Sequence, residues 1–250
     1  MDFSKFLKNI ELSPHHKDIL LHSKKIISFA PHPDDNEFVA GGFVAKKIQE
    51  GGSFLLVVVS DGSKGSTTIG EEELIRIRKR EQEDALAFLG SKNVKFLGYK
   101  DSEVPLPPVL RNDIIKIIRD FGPDLVITVD PFLPYEIHPD HVNTGLAVLQ
   151  AVLFTKFPSI GEGRPVTRPN VALGFPFSPN VIIDCSETMD KKIAALKCHK
   201  SQFPDDSSIE TVKTILSLYG ARIGSRCAEP FKVLMPNELH VNVLGGMNPL

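Results

Sequence analysis

The sequence predicts an α/β fold, a Rossmann-like three-layer sandwich with a mostly parallel sheet. Continuous apolar runs such as FLLVVV, which begins at Phe54, alternate along the chain with segments whose apolar residues recur at helical spacing. Continuous apolar strands are typical of parallel sheets covered on both faces, and β-α alternation favours parallel connections. No internal repeat or low-complexity tract divides the chain, so we expect one domain over residues 1–250.

Turn and helix-capping residues mark the ends of the predicted elements. The pair Ser13-Pro14 indicates a helix start, whereas Gly51-Gly52, Gly90 and Gly122-Pro123 indicate helix ends. The predicted strands cover residues 25–30, 54–62, 94–99, 124–130, 171–175 and 181–186. The predicted helices cover parts of 1–24 and then 38–50, 71–89, 109–121, a segment from about 140, 186–200 and 208–219. The Pro- and Gly-rich segment 156–180 is expected to be a lid or substrate-facing insertion, and the tail 221–250 shows no periodicity.

Composition excludes several functional classes. The net charge of −2 gives no support for binding to nucleic acid or to an anionic membrane. The three cysteines show no CxxC spacing, so we expect reduced thiols and no cysteine zinc site. The first 20 residues lack the apolar core of a signal peptide, and no apolar run reaches the roughly 20 residues of a membrane span. We therefore expect a cytoplasmic protein, and we expect His15, His16 and His22 to lie on its surface.

A first polar cluster follows the first predicted strand. The sequence PHPDD places His32, Asp34 and Asp35 within four residues. An aspartate is a favoured helix N-cap, which would explain one of the two carboxylates. Two carboxylates this close repel each other when they are buried without a counter-charge. A divalent cation is the simplest counter-charge, so the cluster indicates a metal site.

A second polar cluster follows the strand predicted at 124–130. It comprises His138, Asp140 and His141, at the start of a helix. Because the carboxyl ends of parallel strands meet at one edge of the sheet, we expect the two clusters to lie together. An open catalytic zinc site takes three His or carboxylate ligands and leaves a position for water. A spare carboxylate and a spare histidine would then serve as general base and oxyanion stabiliser, which predicts hydrolysis of an amide or ester.

The paired HPDD and HPDH motifs resemble those of the PIG-L/LmbE family of zinc-dependent deacetylases, which act on molecules containing N-acetylglucosamine. Arg78, Glu81, Ala85 and Leu89-Gly90 resemble the RxxExxxAxxxLG helix of the family. The segments 97–101 and 183–202 resemble its LGxxD turn and its late stretch, in which His199 matches a histidine of the family or simply ends a helix. Asn36 replaces the usual Glu of HPDDE, as in the diacetylchitobiose deacetylase branch, and Val39 replaces a usual Gly.

This resemblance implies roles for individual residues. His32, Asp35 and His141 would hold Zn²⁺, and Asp34 would be the general base. His138 would stabilise the oxyanion and act as general acid, with Asp140 orienting it. Arg78 and Glu81 would form an ion pair that supports the site. The resemblance further implies a small amino-sugar substrate and a homo-oligomer, trimeric or hexameric.

Two alternatives remain at the level of sequence. One is an amidase acting on another sugar or a thiol conjugate, which the loops around the site would decide. Another is a non-catalytic module that binds metal or sugar, although both Asp34 and His138 are present. A nucleotide-binding Rossmann module is not supported, because the GxGxxG fingerprint is absent.

Overall fold

The fold is known from a computed structural model, which describes residue 7 and residues 9–240. Its strands are β1 (Lys25–Ala30), β2 (Ser53–Ser60), β3 (Val94–Tyr99), β4 (Leu125–Val129), β5 (Asn170–Gly174), β6 (Val181–Asp184) and β7 (Ala228–Leu234). Its helices are α1 (Pro14–His22), α2 (Asp35–Gln49), α3 (Glu71–Leu89), α4 (Pro107–Phe121), α5 (Pro139–Phe154), α6 (Met189–Leu196) and α7 (Ser207–Ile223), followed by a short 3₁₀ helix, Pro236–Leu239.

The seven strands form one sheet in the order β3-β2-β1-β4-β5-β7-β6. The first five strands of this order are parallel, while β7 runs antiparallel to both β5 and β6. The prediction of a mostly parallel sheet is confirmed. Strand β7 was not predicted, because its sequence contains Glu229 and Pro230 in place of a continuous apolar run.

Two apolar cores cover the two faces of the sheet. Ile26 of β1 joins the core under α2 and α3, whereas its neighbour Ile27 joins the core under α4 and α5. Both side chains are buried, because successive residues of a central strand point to opposite faces. The three-layer arrangement predicted from the sequence is therefore present.

A buried ion pair contacts the middle of α2. Glu229 of β7 accepts hydrogen bonds from the backbone N–H groups of Gly42, at 2.8 Å, and Phe43, at 2.7 Å. Lys192 of α6 lies 2.6 Å from the same carboxylate and also donates to the Phe38 carbonyl oxygen at 2.7 Å. Neither charged side chain is exposed. Paired charges and backbone groups satisfy one another here, and they tie α2 to β7 and α6.

The segment predicted as a lid lies partly at the opposite edge from the polar clusters. Arg119, near the end of α4, donates hydrogen bonds to five backbone carbonyl oxygens between residues 155 and 163. Helix α4 ends just before β4 begins, so these residues lie where the parallel strands start. The lid prediction is wrong for residues 156–163. Gly174 and Phe175, at the end of β5, do lie at the carboxyl edge.

Two of the three histidines predicted at the surface are exposed, and the third is buried. His15 and His22 are exposed, as predicted. His16 is fully buried, 2.7 Å from Ser13 Oγ and 3.0 Å from Glu238 Oε2, and it joins α1 to the 3₁₀ helix. The prediction for His16 is wrong, because a distant segment covers it. Predictions for residues 1–6, 8 and 241–250 lie outside the described part of the chain.

Candidate metal centre

The two polar clusters meet at the carboxyl edge of the sheet. The first lies between the end of β1 and the start of α2, and the second lies at the start of α5, after β4. Strands β1 and β4 are neighbours in the sheet, although two βα units separate them in sequence. The strand order reverses between them, and such a position is where α/β sheets bind ligands.

Three of the predicted residues form a group that can hold a metal ion. Asp35 Oδ2 lies 3.3 Å from His32 Nδ1 and 3.5 Å from His141 Nε2. One ligand atom from each of the three residues lies within 4.8 Å of the others. His32, Asp101 and His138 form a second such group, which shares His32 with the first. The sequence-predicted ligand set is thus brought together in space.

The charges around His32 fit a bound cation. Its Nε2 lies 3.1 Å from Asp140 Oδ2 and 3.5 Å from Asp101 Oδ1, while its Nδ1 faces Asp35. Burial alone would lower the pKa of His32, but hydrogen bonds to these three carboxylates raise it to about 12. Burial opposes ionisation of Asp35, and the neighbouring His141 and His32 nevertheless hold the pKa of its carboxyl well below the usual range. A cation bound at Nδ1 would balance the negative charge of these carboxylates. Asp101 and Asp140, which face Nε2, would fix the orientation of the His32 ring.

Asp34 has an unusual backbone conformation. It precedes α2 with a φ of 114°, and its side chain makes no capping hydrogen bond. Its N–H donates to Gln82 Oε1 at 3.0 Å, and its Oδ2 accepts from Arg78 at 3.1 Å. Burial and the charge of Asp35 raise the pKa of Asp34 to about 6, against the opposing charge of Arg78. The capping alternative therefore does not describe this carboxylate.

A buried polar network supports the Asp34 backbone. Gln82 Nε2 donates to Glu37 Oε2 at 3.0 Å, and Asn36 Nδ2 donates to Glu37 Oε1 at 3.0 Å. His199 Nε2 lies 3.4 Å from the same Glu37 carboxylate. Asn36, Glu37, Gln82 and His199 are all fully buried. The role of Gln82 was not predicted from the sequence, although Gln82 lies four residues after Arg78 and therefore on the same face of α3.

Asp140 contacts a different histidine from the one expected. Its carboxylate accepts hydrogen bonds from the N–H groups of Ser102, at 2.7 Å, and Val104, at 3.1 Å, and it faces His32. The backbone N–H of Asp140, not its side chain, donates to His138 Nδ1 at 3.3 Å. Burial and the charges of His32 and His141 lower the pKa of His138. Asp101, the last residue of the segment that resembles the LGxxD turn, was assigned no role from the sequence, and it lies beside His32.

Arg78 and Glu81 do not form the expected ion pair. Arg78 donates to the Pro33 carbonyl oxygen at 2.7 Å in addition to Asp34. The Glu81 carboxylate accepts from the N–H of Ser201 at 2.8 Å and from its Oγ at 2.6 Å. No salt bridge joins the two residues, both of which the structure describes. That prediction is wrong, because Arg78 contacts residues 33 and 34, whereas Glu81 contacts Ser201.

Comparison with known proteins identifies the family. Residues 27–152 match the model of the PIG-L family, described as GlcNAc-PI de-N-acetylase. The diacetylchitobiose deacetylase of Thermococcus kodakarensis is 32% identical over 87% of this chain and 86% of its own length. The chain belongs to the PIG-L family. The resemblance stated from the HPDD and HPDH motifs is confirmed.

A second sequence relative and a solved structure are also similar to this PIG-L chain. A probable N-acetyl-α-D-glucosaminyl L-malate deacetylase 2 of Bacillus anthracis is 30% identical over 73% of this chain and 83% of its own length. The solved structure of the N,N′-diacetylchitobiose deacetylase from Pyrococcus horikoshii, in complex with its inhibitor, superposes with a TM-score of 0.88 at 32% identity. The superposition covers 98% of this chain and 94% of the Pyrococcus horikoshii chain. None of the helices described in this PIG-L chain has the length and hydropathy to cross a bilayer.

Proposed function

We propose that this chain is a zinc-dependent N-deacetylase that removes the acetyl group from a small N-acetylglucosamine-type sugar, such as diacetylchitobiose. The observation that carries the proposal is the grouping of His32, Asp35 and His141 around the strained Asp34. It occurs in a chain that is 32% identical to a diacetylchitobiose deacetylase. A homo-oligomer, trimeric or hexameric, and a cytoplasmic location remain predictions of the sequence.

The proposed ligands are His32, Asp35 and His141. Two histidines and a carboxylate suit zinc, and iron, cobalt or manganese accept the same ligand set. Zinc held there would supply Lewis acidity, which polarises an amide carbonyl and makes water a stronger acid. The Asp140 and Asp101 carboxylates accept from His32 Nε2, which leaves Nδ1 as the ligand atom.

Asp34 is the proposed general base. Arg78 and Gln82 hold its side chain and backbone, so the carboxylate stays at the cavity beside Asp35. It would take a proton from the attacking water and release it to solvent after the products leave, while His138, reprotonated from solvent, supplies the proton of the leaving amine. His138 lies on another side of His32, with ring centroids 4.8 Å apart, where it would donate to the carbonyl oxygen and protonate the leaving amine.

Acetate release tests the reaction class. We would incubate metal-stripped protein with N-acetylglucosamine and with N,N′-diacetylchitobiose, with and without added zinc, and measure acetate. Zinc-dependent release from either sugar is the expected result. Protein that binds zinc but releases no acetate from these sugars would favour an amidase for another conjugate or the non-catalytic module. Protein that binds no metal would overturn the proposal.

The Asp34→Ala variant tests the general base. We expect kcat to fall by a factor on the order of 10² or more, because this is what general base catalysis contributes. Zinc content should be unchanged, since Asp34 is not a proposed ligand. Asp18→Ala, an exposed carboxylate of α1, is the control and should keep full activity. Unchanged turnover in Asp34→Ala would remove the assigned role.

A further inference from the structure

A cavity of about 290 Å³ opens beside the proposed catalytic groups. Asp34, Asp35 and His141 form part of its wall. The rest is mainly hydrocarbon, from Phe38, Val39, Val129, Leu133, Phe175 and Phe203. The rings of Phe38 and Phe175 lie 5.3 Å apart, and Phe203 packs from the loop after α6. The proposed reaction centre therefore borders a largely apolar space.

Val39 forms part of the cavity wall. Val39 packs against Gly174 so closely that a Cβ on residue 174 would lie 2.5 Å from the Val39 Cβ. The valine is only 7% exposed. The Val39 side chain therefore forms the wall of the cavity beside the end of β5.

The cavity is larger than an acetyl group requires. A cavity of about 150 Å³ lined by apolar side chains binds benzene in another protein. The methyl group of an acetyl would leave most of a 290 Å³ space unfilled. Each methylene group buried in such a space contributes about 0.8 kcal/mol, a factor of about four in affinity. A substrate with a longer hydrocarbon group would gain binding that the acetyl group does not.

The polar groups of the cavity disfavour anions. Apart from His141, those that line it are the carboxylates of Asp34, Asp35, Asp130 and Glu136, and no lysine or arginine lines it in the described part of the chain. Asp130 already accepts from the N–H of Phe132 at 2.9 Å, and Glu136 faces His138 N and His141. Apart from His141 and the zinc proposed beside it, nothing in this lining would pair with a carboxylate or phosphate of a substrate.

We propose that this cavity seats an uncharged hydrocarbon group of the substrate, larger than the acetyl methyl, carried either on the acyl carbon or on the aglycone of the amino sugar. The inference rests on the proposed deacetylase function and adds a substrate class to it. The enzyme then favours neutral, apolar amides of glucosamine over anionic conjugates.

Two substrate series separate the two sources of the hydrocarbon group. One series keeps the N-acetyl group and varies the β-glycoside from methyl to butyl to hexyl; the other keeps the methyl glycoside and varies the N-acyl group from acetyl to butyryl to hexanoyl. Release of primary amine or carboxylate by the zinc-loaded protein gives kcat/KM. We expect at least a tenfold rise along one series. A flat or falling response in both series would overturn the inference.

Charge is tested at constant length. A 5-carboxypentyl glycoside matches the hexyl glycoside in chain length but ends in a carboxylate. We expect it to lose at least tenfold in kcat/KM relative to the hexyl compound if the aglycone occupies the cavity; N-adipoyl against N-hexanoyl is the equivalent pair for the acyl series. An anionic compound that matches its neutral partner would contradict the proposed class.

Binding to metal-free protein keeps this test separate from the proposed reaction. Calorimetry would compare the Kd values of the best compound and of its short-chain parent on wild-type protein and on Phe203→Ala, whose ring lines the cavity. The preference should exceed tenfold in wild type and fall below about threefold in Phe203→Ala. Phe157→Ala, an exposed phenylalanine at the opposite edge, should retain it. Hydrolysis of no substrate would refute the deacetylase function, whereas hydrolysis without any chain-length preference would refute the cavity's role alone.

Discussion

Strained residues gather around the proposed site. Within the described chain, the non-glycine residues with positive φ are Asp34, Ser102, Tyr135 and Phe175. They follow β1, β3, β4 and β5, all at the carboxyl edge of the sheet. Such conformations cost of order 1–3 kcal/mol each and persist only where the surroundings impose them. For Asp34, the imposing contact is the hydrogen bond from its N–H to Gln82.

Replacing Gln82 tests this support. Gln82→Met keeps the length of the side chain but cannot accept from the N–H of Asp34 or donate to Glu37. We expect kcat to fall roughly tenfold or more with little change in KM, because a displaced base loses reactivity while the sugar contacts remain. Acetate release and zinc content of the purified variant are the measurements.

Asn36→Ala is the matched control for this variant. It also removes a hydrogen bond to Glu37, but the Asn36 side chain makes no hydrogen bond to Asp34. We expect the two variants to lose similar stability, about 1–3 kcal/mol, since each leaves a buried carboxylate less satisfied. Equal losses of kcat in both would show that Gln82 acts only through stability.

His199 makes the stability of the fold depend on pH. Burial alone would lower its pKa, but Glu37, together with the charges of Asp34 and Glu81, raises it above the usual value. A raised folded-state pKa gives stability that is complete below the unfolded pKa of about 6.5 and is lost as pH rises through the folded value. The stability difference between wild type and His199→Gln in urea should therefore be largest near pH 6 and shrink towards pH 9. A difference that grows with pH would contradict this.

The proposed ligands were readable from the sequence, whereas their supports were not. The spacing of His32, Asp34 and Asp35 and the second cluster at the equivalent strand end predicted a metal site. The choice of ligands within it came from the resemblance to the PIG-L/LmbE family. Gln82 and Asp101 come from other elements, and only the fold brings them to the same edge. A lone glutamine on an amphipathic helix carries no signal in spacing that distinguishes it from a surface residue.

At the scale of elements, burial explains what sequence patterns missed. Strand β7 contains the charged Glu229, which is fully buried only because Lys192 and the backbone of α2 satisfy it. Periodicity treats a charged residue as exposed, so it predicted no strand there. The segment 156–180 was interpreted as a lid from its Pro and Gly content, although Arg119 anchors its first part, 156–163, at the opposite edge.

Gly42 of α2 is expected to tolerate no side chain. A Cβ there would lie 2.9 Å from the Cys185 Cβ and 3.1 Å from Glu229 Oε1, so Gly42→Ala should lose about 1–3 kcal/mol of unfolding free energy. At Gly41, the nearest atom is Lys192 Cγ at 3.2 Å, a contact that a shift of a few tenths of an ångström relieves. Gly41→Ala should therefore stay within about 1 kcal/mol of wild type, helped by the higher helix propensity of alanine. Urea unfolding measures both variants, and equal losses would contradict the assignment.

At the scale of the whole molecule, the site joins two βα units. His32 and Asp35 come from the β1-α2 connection, whereas His141 comes from α5 after β4. His141 lies more than 100 positions from His32 and Asp35 in sequence, so a complete ligand set exists only when both units are packed on one sheet. Binding of a metal to the native state alone must then stabilise the whole domain.

Zinc is therefore expected to raise the melting temperature of the metal-stripped protein. At a free zinc concentration of about 100 times the Kd, the native state gains about 2.7 kcal/mol, which for a chain of this size shifts Tm by roughly 5–11 °C. Asp35→Asn, which removes a proposed ligand charge, should lose most of this shift, whereas Asp18→Asn on the surface should keep it. Calorimetry of wild type, Asp35→Asn and Asp18→Asn, each with and without zinc, measures the shift in Tm. A shift of equal size in Asp35→Asn would mean that zinc binds elsewhere and that His32, Asp35 and His141 do not form the metal site.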